Sequence, residues 1–274
     1  MAGDDIAGSV VQAFHHSQLG RMASELVRQH PAASRDGFKR ASGEHLAAIL
    51  TSACLNRTPV GIDLHGSVDL TYDLTDPPTP VPEAFGLRDA SHATFEVKSL
   101  PGKFREFDAA IDRAIAAGVE PVQKTFRAKV VSVNDVLSGV GSDVIQRAKR
   151  QLEQKAPIGY SRNIFLVAHY LEYPAVEVYA DEIPLIAHRL APLSGLDGID
   201  SVWTLWSPHP ILVIWSTRDQ RWVNVCFAYE EGEGQDDPEE FPLLQQVEAE
   251  FMESAGGRGS PFYFGMTAGD GPAP

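Results

Sequence analysis

His92-Ala93-Thr94-Phe95-Glu96-Val97-Lys98-Ser99 alternates apolar with polar side chains. A period of two predicts a β-strand with Ala93, Phe95 and Val97 on one face and Thr94, Glu96 and Lys98 on the other. A carboxylate and an ammonium then project side by side from a strand whose reverse is apolar. On a solvated face such a pair contributes about 0 to 1 kcal/mol and signals nothing further. Its neighbours in the chain decide whether it is more than that.

Upstream, Val68, Leu70, Tyr72 and Leu74 alternate with Asp69, Thr71 and Asp73, which predicts a second strand. Val60, Ile62 and Leu64 predict another before it, with Gly66-Ser67 as the tight turn between the two. Asp76 to Pro82 is a proline-rich loop that suits neither a helix nor a central strand. The three strands form a meander. Before them, Ser34 and Asp36 can cap a helix with Phe38, Leu46, Ile49 and Leu50 on its apolar side, running to about Leu55 and containing Gly43-Glu44. Residues 10–30 carry Val11, Phe14, Leu19, Met22, Leu26 and Val27 at helical spacing, and Pro31 ends that run.

Downstream, residues 101–141 read as an insertion, with helical character from Phe107 to Ala117, a strand near Thr125 to Val133, and scattered bases that could line a DNA groove or be ordinary surface residues. Ser142 to Lys155 predicts a helix capped at its start and basic toward its end, and Asn163 to Ala168 is the continuous apolar run of a buried strand. A short helix over Asp181 to Leu190, a strand over Ser201 to Trp206, and a hairpin of Ile211–Trp215 with Trp222–Phe227 complete the body. The organisation expected is an N-terminal helical extension over 1–34, an α/β domain over 35–228, and a tail over 229–274. The order helix, three meander strands, helix, parallel strand predicts an α/β fold with a mixed central sheet and added C-terminal strands.

The 274 residues are 43% hydrophobic and 22% charged, an ordinary globular composition. Residues 1–14 hold acids and no base, which is not a signal peptide, and no apolar run approaches the roughly 20 residues of a membrane span. The expectation is a cytoplasmic protein with no membrane partner. Cys54 and Cys226 lie far apart outside any C-x-x-C pattern, so core thiols are expected. His15, His16 and His169 have no partners at metal-ligand spacing, and Trp203, Trp206, Trp215 and Trp222 fall in strands, where aromatics pack a core. Net charge is -14, yet residues 229–274 hold eleven acids against one base, leaving 26 acids and 22 bases in residues 1–228. The body is only mildly acidic. The tail reads as a loose solubilising linker, or as an acidic segment that covers the chain's own basic groove or meets a partner subunit.

Gly43-Glu44, Gly66-Ser67-Val68-Asp69-Leu70 and Phe95-Glu96-Val97-Lys98 together resemble the PD-(D/E)XK nuclease superfamily, the restriction-endonuclease-like fold, and in spacing its resolvase-like branch. The resemblance covers about residues 40–100 and more loosely 142–168. No Pro precedes Asp69, the gap to Glu96 is long, and everything after residue 170 is unmatched. The resemblance implies a restriction-endonuclease-like αβββαβ core and a Mg²⁺-dependent nuclease acting on DNA, with Mn²⁺ as a substitute. Asp69, Glu96 and the Val97 backbone carbonyl would hold the metal, since Mg²⁺ takes a few hard oxygens together with water and phosphate. Lys98 would assist the attacking water and Glu44 would support a second ion or orient water. Asp73, on the same strand face as Asp69, is the alternative ligand, and Asp63 suits the task less well. Gln146 or Lys149 would contact substrate phosphate, or would simply be solvated. Such nucleases often work as dimers. Two other readings stand beside this one: a DNA- or protein-binding subunit of a larger bacterial complex that keeps the fold without the chemistry, and an unrelated α/β enzyme with a surface Glu-Lys pair.

Overall fold

The computed structural model describes residues 10–30, 43–62, 67–75, 82–87, 90–102, 117–118, 131–169, 172–173, 189–207 and 211–228. The chain runs β1 (Val10–His15), α1 (Ser17–Gln29), α2 (Glu44–Leu55), β2 (Gly61–Ile62), β3 (Leu70–Asp73), β4 (His92–Ser99), α3 (Val133–Val136), α4 (Ser142–Lys155), β5 (Ser161–His169), β6 (Ser201–Ser207), β7 (Ile211–Ser216) and β8 (Arg221–Ala228). All eight strands among the described residues join one mixed sheet in the order β1-β8-β7-β6-β5-β4-β3-β2. β2, β3 and β4 form the expected antiparallel meander, β5 and β6 follow β4 in parallel, and β7 and β8 return antiparallel. The fold is α/β with a mixed central sheet.

Side chains alternate across the sheet into two cores. Phe95, Val97, Phe165, Val167 and Trp203 face α1 and α2, while Ile164, Leu166, Val202 and Trp206 face α4. A sheet covered on both faces needs apolar residues at consecutive positions, and β5, β6 and β7 read that way. All four tryptophans are buried, so none offers a face for stacking on a base. Both cysteines are free, Cys54 buried and Cys226 half-buried. No helix among the described residues is long and apolar enough to cross a membrane.

Several expectations are corrected. Residues 10–30 are not one helix: Val10–His15 is a strand paired in parallel with β8, and the helix begins at Ser17. Residues 10–15 are therefore part of the sheet. The helix expected to run through Gly43 to Leu55 starts at Glu44, because Gly43 stands in the left-handed region at φ 72° and breaks any continuous run through it. Val133 opens a helix and not a strand end, since Ser132 and Asp135 form a capping box there. The cap expected at Ser142 is absent; that helix follows α3 across a kink at Gly139, whose ψ of -112° is not helical. The loop between β3 and β4 is no bystander, as a 3₁₀ turn at Glu83–Phe85 inserts Phe85 against Phe14 and Trp203. Ser34, Asp36, Phe38, Asp63, Leu64, Gly66 and residues 107–116, 125–130, 181–188 and 229–274 lie outside the described residues.

Gly43 fixes how α2 meets the sheet. A Cβ added there would stand 2.7 Å from Cγ2 of Val167 on β5, in a conformation that side chains disfavour. Gly43→Ala is therefore expected to destabilise the fold by roughly 1–3 kcal/mol, read as a lowered urea midpoint at unchanged slope.

Candidate active site

Leu70 stands opposite Phe95 and Asp73 opposite His92 in the β3–β4 ladder. Leu74 N–H donates to the Ser91 carbonyl at 2.7 Å, and hydrogen-bonded pairs alternate along an antiparallel ladder. They thus fall at 74/91, 72/93 and 70/95, and the next would be 68/97. The chain does not supply it. Before Leu70 it turns off the sheet, and Val68 is buried in the core on the α4 side while Leu70 lies in the other core. The alternation expected from Val68 to Leu74 breaks at that point. The Val97 N–H is satisfied instead by Asp69 Oδ2 at 2.7 Å, so a carboxylate stands where a backbone carbonyl would have been.

Glu96 lies on the opposite face of β4 from Phe95 and Val97 and is 1% exposed. Lys98, two residues on, shares its face. The Lys98 ammonium lies 2.5 Å from Glu96 Oε1, 3.1 Å from the Val97 carbonyl and 3.6 Å from Asp69 Oδ2. The three oxygens named from the sequence as ligands converge on one positive charge. Glu96 Oε2 is buried without a hydrogen-bond partner. Burial is the main cause that pushes the Glu96 carboxyl above its ordinary value, and the neighbouring Asp69 carboxylate adds to it; Lys98 and Lys155 pull the other way.

Other expected residues are placed differently. Glu44 is buried as the first residue of α2, whose apolar side chains join the core opposite Glu96 and Lys98. Asp73 is at the far end of β3 from Asp69, exposed, with its Oδ1 accepting from the Thr75 N–H and hydroxyl at 2.9 and 2.6 Å. Register thus puts Asp69, not Asp73, beside Glu96. Gln146 and Lys149 both donate to the Gly195 carbonyl, at 3.3 and 3.1 Å, and so hold the segment before β6. Among the described residues no group of three or more histidines, cysteines or acids is arranged to hold a metal ion. Sequence reasoning passed over Lys155, which donates to the Ser67 carbonyl at 3.0 Å and whose charge reaches Glu96. Ser67 and Lys155 are 88 positions apart, and no local pattern links them.

A carboxyl raised in the folded state keeps its proton over a pH interval in which the unfolded chain has lost it. The folded protein then binds more protons, and stability declines as pH rises through that interval. In metal-free buffer, wild-type stability relative to Glu96→Gln is expected to fall between the ordinary carboxylate range and neutrality, as read by urea titration at both ends. A constant difference would contradict the raised value. Comparisons with family models, with curated proteins and with solved structures return no match, so the chemistry is argued from these side chains.

Proposed function

We propose that this chain is a Mg²⁺-dependent nuclease that hydrolyses phosphodiester bonds in DNA, on an αβββαβ core of the PD-(D/E)XK, restriction-endonuclease-like kind. Support for the core comes from the order α2, the β2–β4 meander, α4 and a β5 parallel to β4, with α2 and α4 on opposite faces. The observation that carries the reading is the convergence of Asp69 Oδ2, Glu96 Oε1 and the Val97 carbonyl on the Lys98 ammonium.

The ammonium stands in for a metal ion. Three oxygens around one cation, with a fourth, Glu96 Oε2, buried and unpartnered, make a hard-oxygen donor set that suits Mg²⁺ or Mn²⁺. When bound, the ion supplies positive charge for the phosphoryl oxygens and acidifies the attacking water. The protein's own part is positional. The Val97 N–H holds Asp69 in place, and burial between core layers fixes Glu96 on a rigid strand. Lys98, with 29% of its side chain exposed, carries its ammonium on a flexible stem at the solvent side of the pair. From there it meets the attacking water or offsets charge on the phosphoryl group.

One observation favours a second reading, a DNA- or protein-binding subunit with this core and no chemistry. No third acid, histidine or cysteine joins the Asp69–Glu96 pair among the described residues. The assay that separates the two incubates the full chain with supercoiled, linear and single-stranded DNA in Mg²⁺ and in Mn²⁺. Cleavage is expected, with Asp69→Asn, Glu96→Ala and Lys98→Ala each slower by on the order of 100-fold or more. Cleavage that persists in both Glu96→Ala and Lys98→Ala overturns the assignment. DNA binding without cleavage in either metal assigns the second reading.

A further inference from the structure

Once the chain leaves the sheet before Leu70, the ladder no longer holds residues 67–69. Three contacts replace it, besides the Lys98–Asp69 ion pair. Val68 is buried against the α4 core, the Asp69 carboxylate takes the Val97 N–H, and the Ser67 carbonyl takes the Lys155 ammonium at 3.0 Å. Lys155 is the last residue of α4, a helix anchored by Val144, Ile145, Ala148 and Leu152. The outermost of the three contacts thus ties the arm to a rigid element.

We infer that Lys155 is a positioning residue for Asp69, holding the Ser67–Asp69 arm over the Glu96 face of the sheet so that both carboxylates present their oxygens to one cation. The inference rests on the reading of Asp69 as a metal ligand. Lys155 also acts on Glu96 through its charge, and the two effects have opposite signs for metal binding. A positive charge near a cation site weakens binding, so removing it tightens binding. A tether that orders a ligand strengthens binding, so removing it weakens binding. In the structure the tether is a hydrogen bond at contact distance, and it governs.

The test uses the full chain as wild type, Lys155→Met and Lys155→Arg. Mn²⁺ affinity is measured by titration calorimetry, and exchange of the Val97 amide is measured by NMR in metal-free buffer. Lys155→Met is expected to bind Mn²⁺ on the order of 10-fold more weakly. Its Val97 amide is expected to exchange roughly fivefold faster, because the Asp69 acceptor is released. Lys155→Arg, which keeps a donor and the charge, restores both. Tighter Mn²⁺ binding by Lys155→Met, or an unchanged Val97 amide, overturns the inference. If wild type binds no Mn²⁺, the metal reading itself fails, and the Val97 amide alone decides whether Lys155 holds the arm.

Discussion

A carboxylate sealed inside a sheet is the constraint around which this site is organised. Glu96 lies between β3 and β5 with almost no contact with water, where an isolated charge is strongly disfavoured. Lys98 offsets that cost through one oxygen and leaves the other unsatisfied. A buried acceptor without a donor is rare in folded proteins, and it persists where a further group completes it. The apolar cores on both sides of the sheet hold the strand that carries it.

The second constraint is geometric. β3 gives up its ladder to β4 at the point where the site needs a side chain, and Asp69 replaces a missing carbonyl while facing the same cation as Glu96. Hydrogen bonding of the backbone and placement of a candidate ligand are thereby one interaction. Any change that lets the arm return to the ladder would satisfy Val97 and lose the site. The sheet tolerates such a local departure because β4 is held on its other side by a full parallel register with β5.

Much of this was legible in the sequence because it is local. Alternation over His92–Ser99 put Glu96 and Lys98 on one face, and the continuous apolar run at Asn163–Ala168 marked a buried strand. Non-local terms hid the rest. Val10–His15 looks helical by spacing and is a strand only because β8, more than 200 residues on, pairs with it. The choice between Asp69 and Asp73 depended on the register of β3 against β4, which no local pattern in the sequence fixes. Gln146 and Lys149 have the right character for phosphate, yet the backbone at Gly195 engages both.

The central claim is that Asp69, Glu96 and the Val97 carbonyl surround a place for a divalent cation, held in this state by Lys98. A crystal of the full chain soaked in Mn²⁺, with anomalous differences collected at the manganese edge, tests it most directly. The account predicts one peak bound by oxygens of Asp69 and Glu96, with the Lys98 ammonium moved off Glu96 Oε1. No peak there, with Lys98 still bound between the two carboxylates, would contradict it.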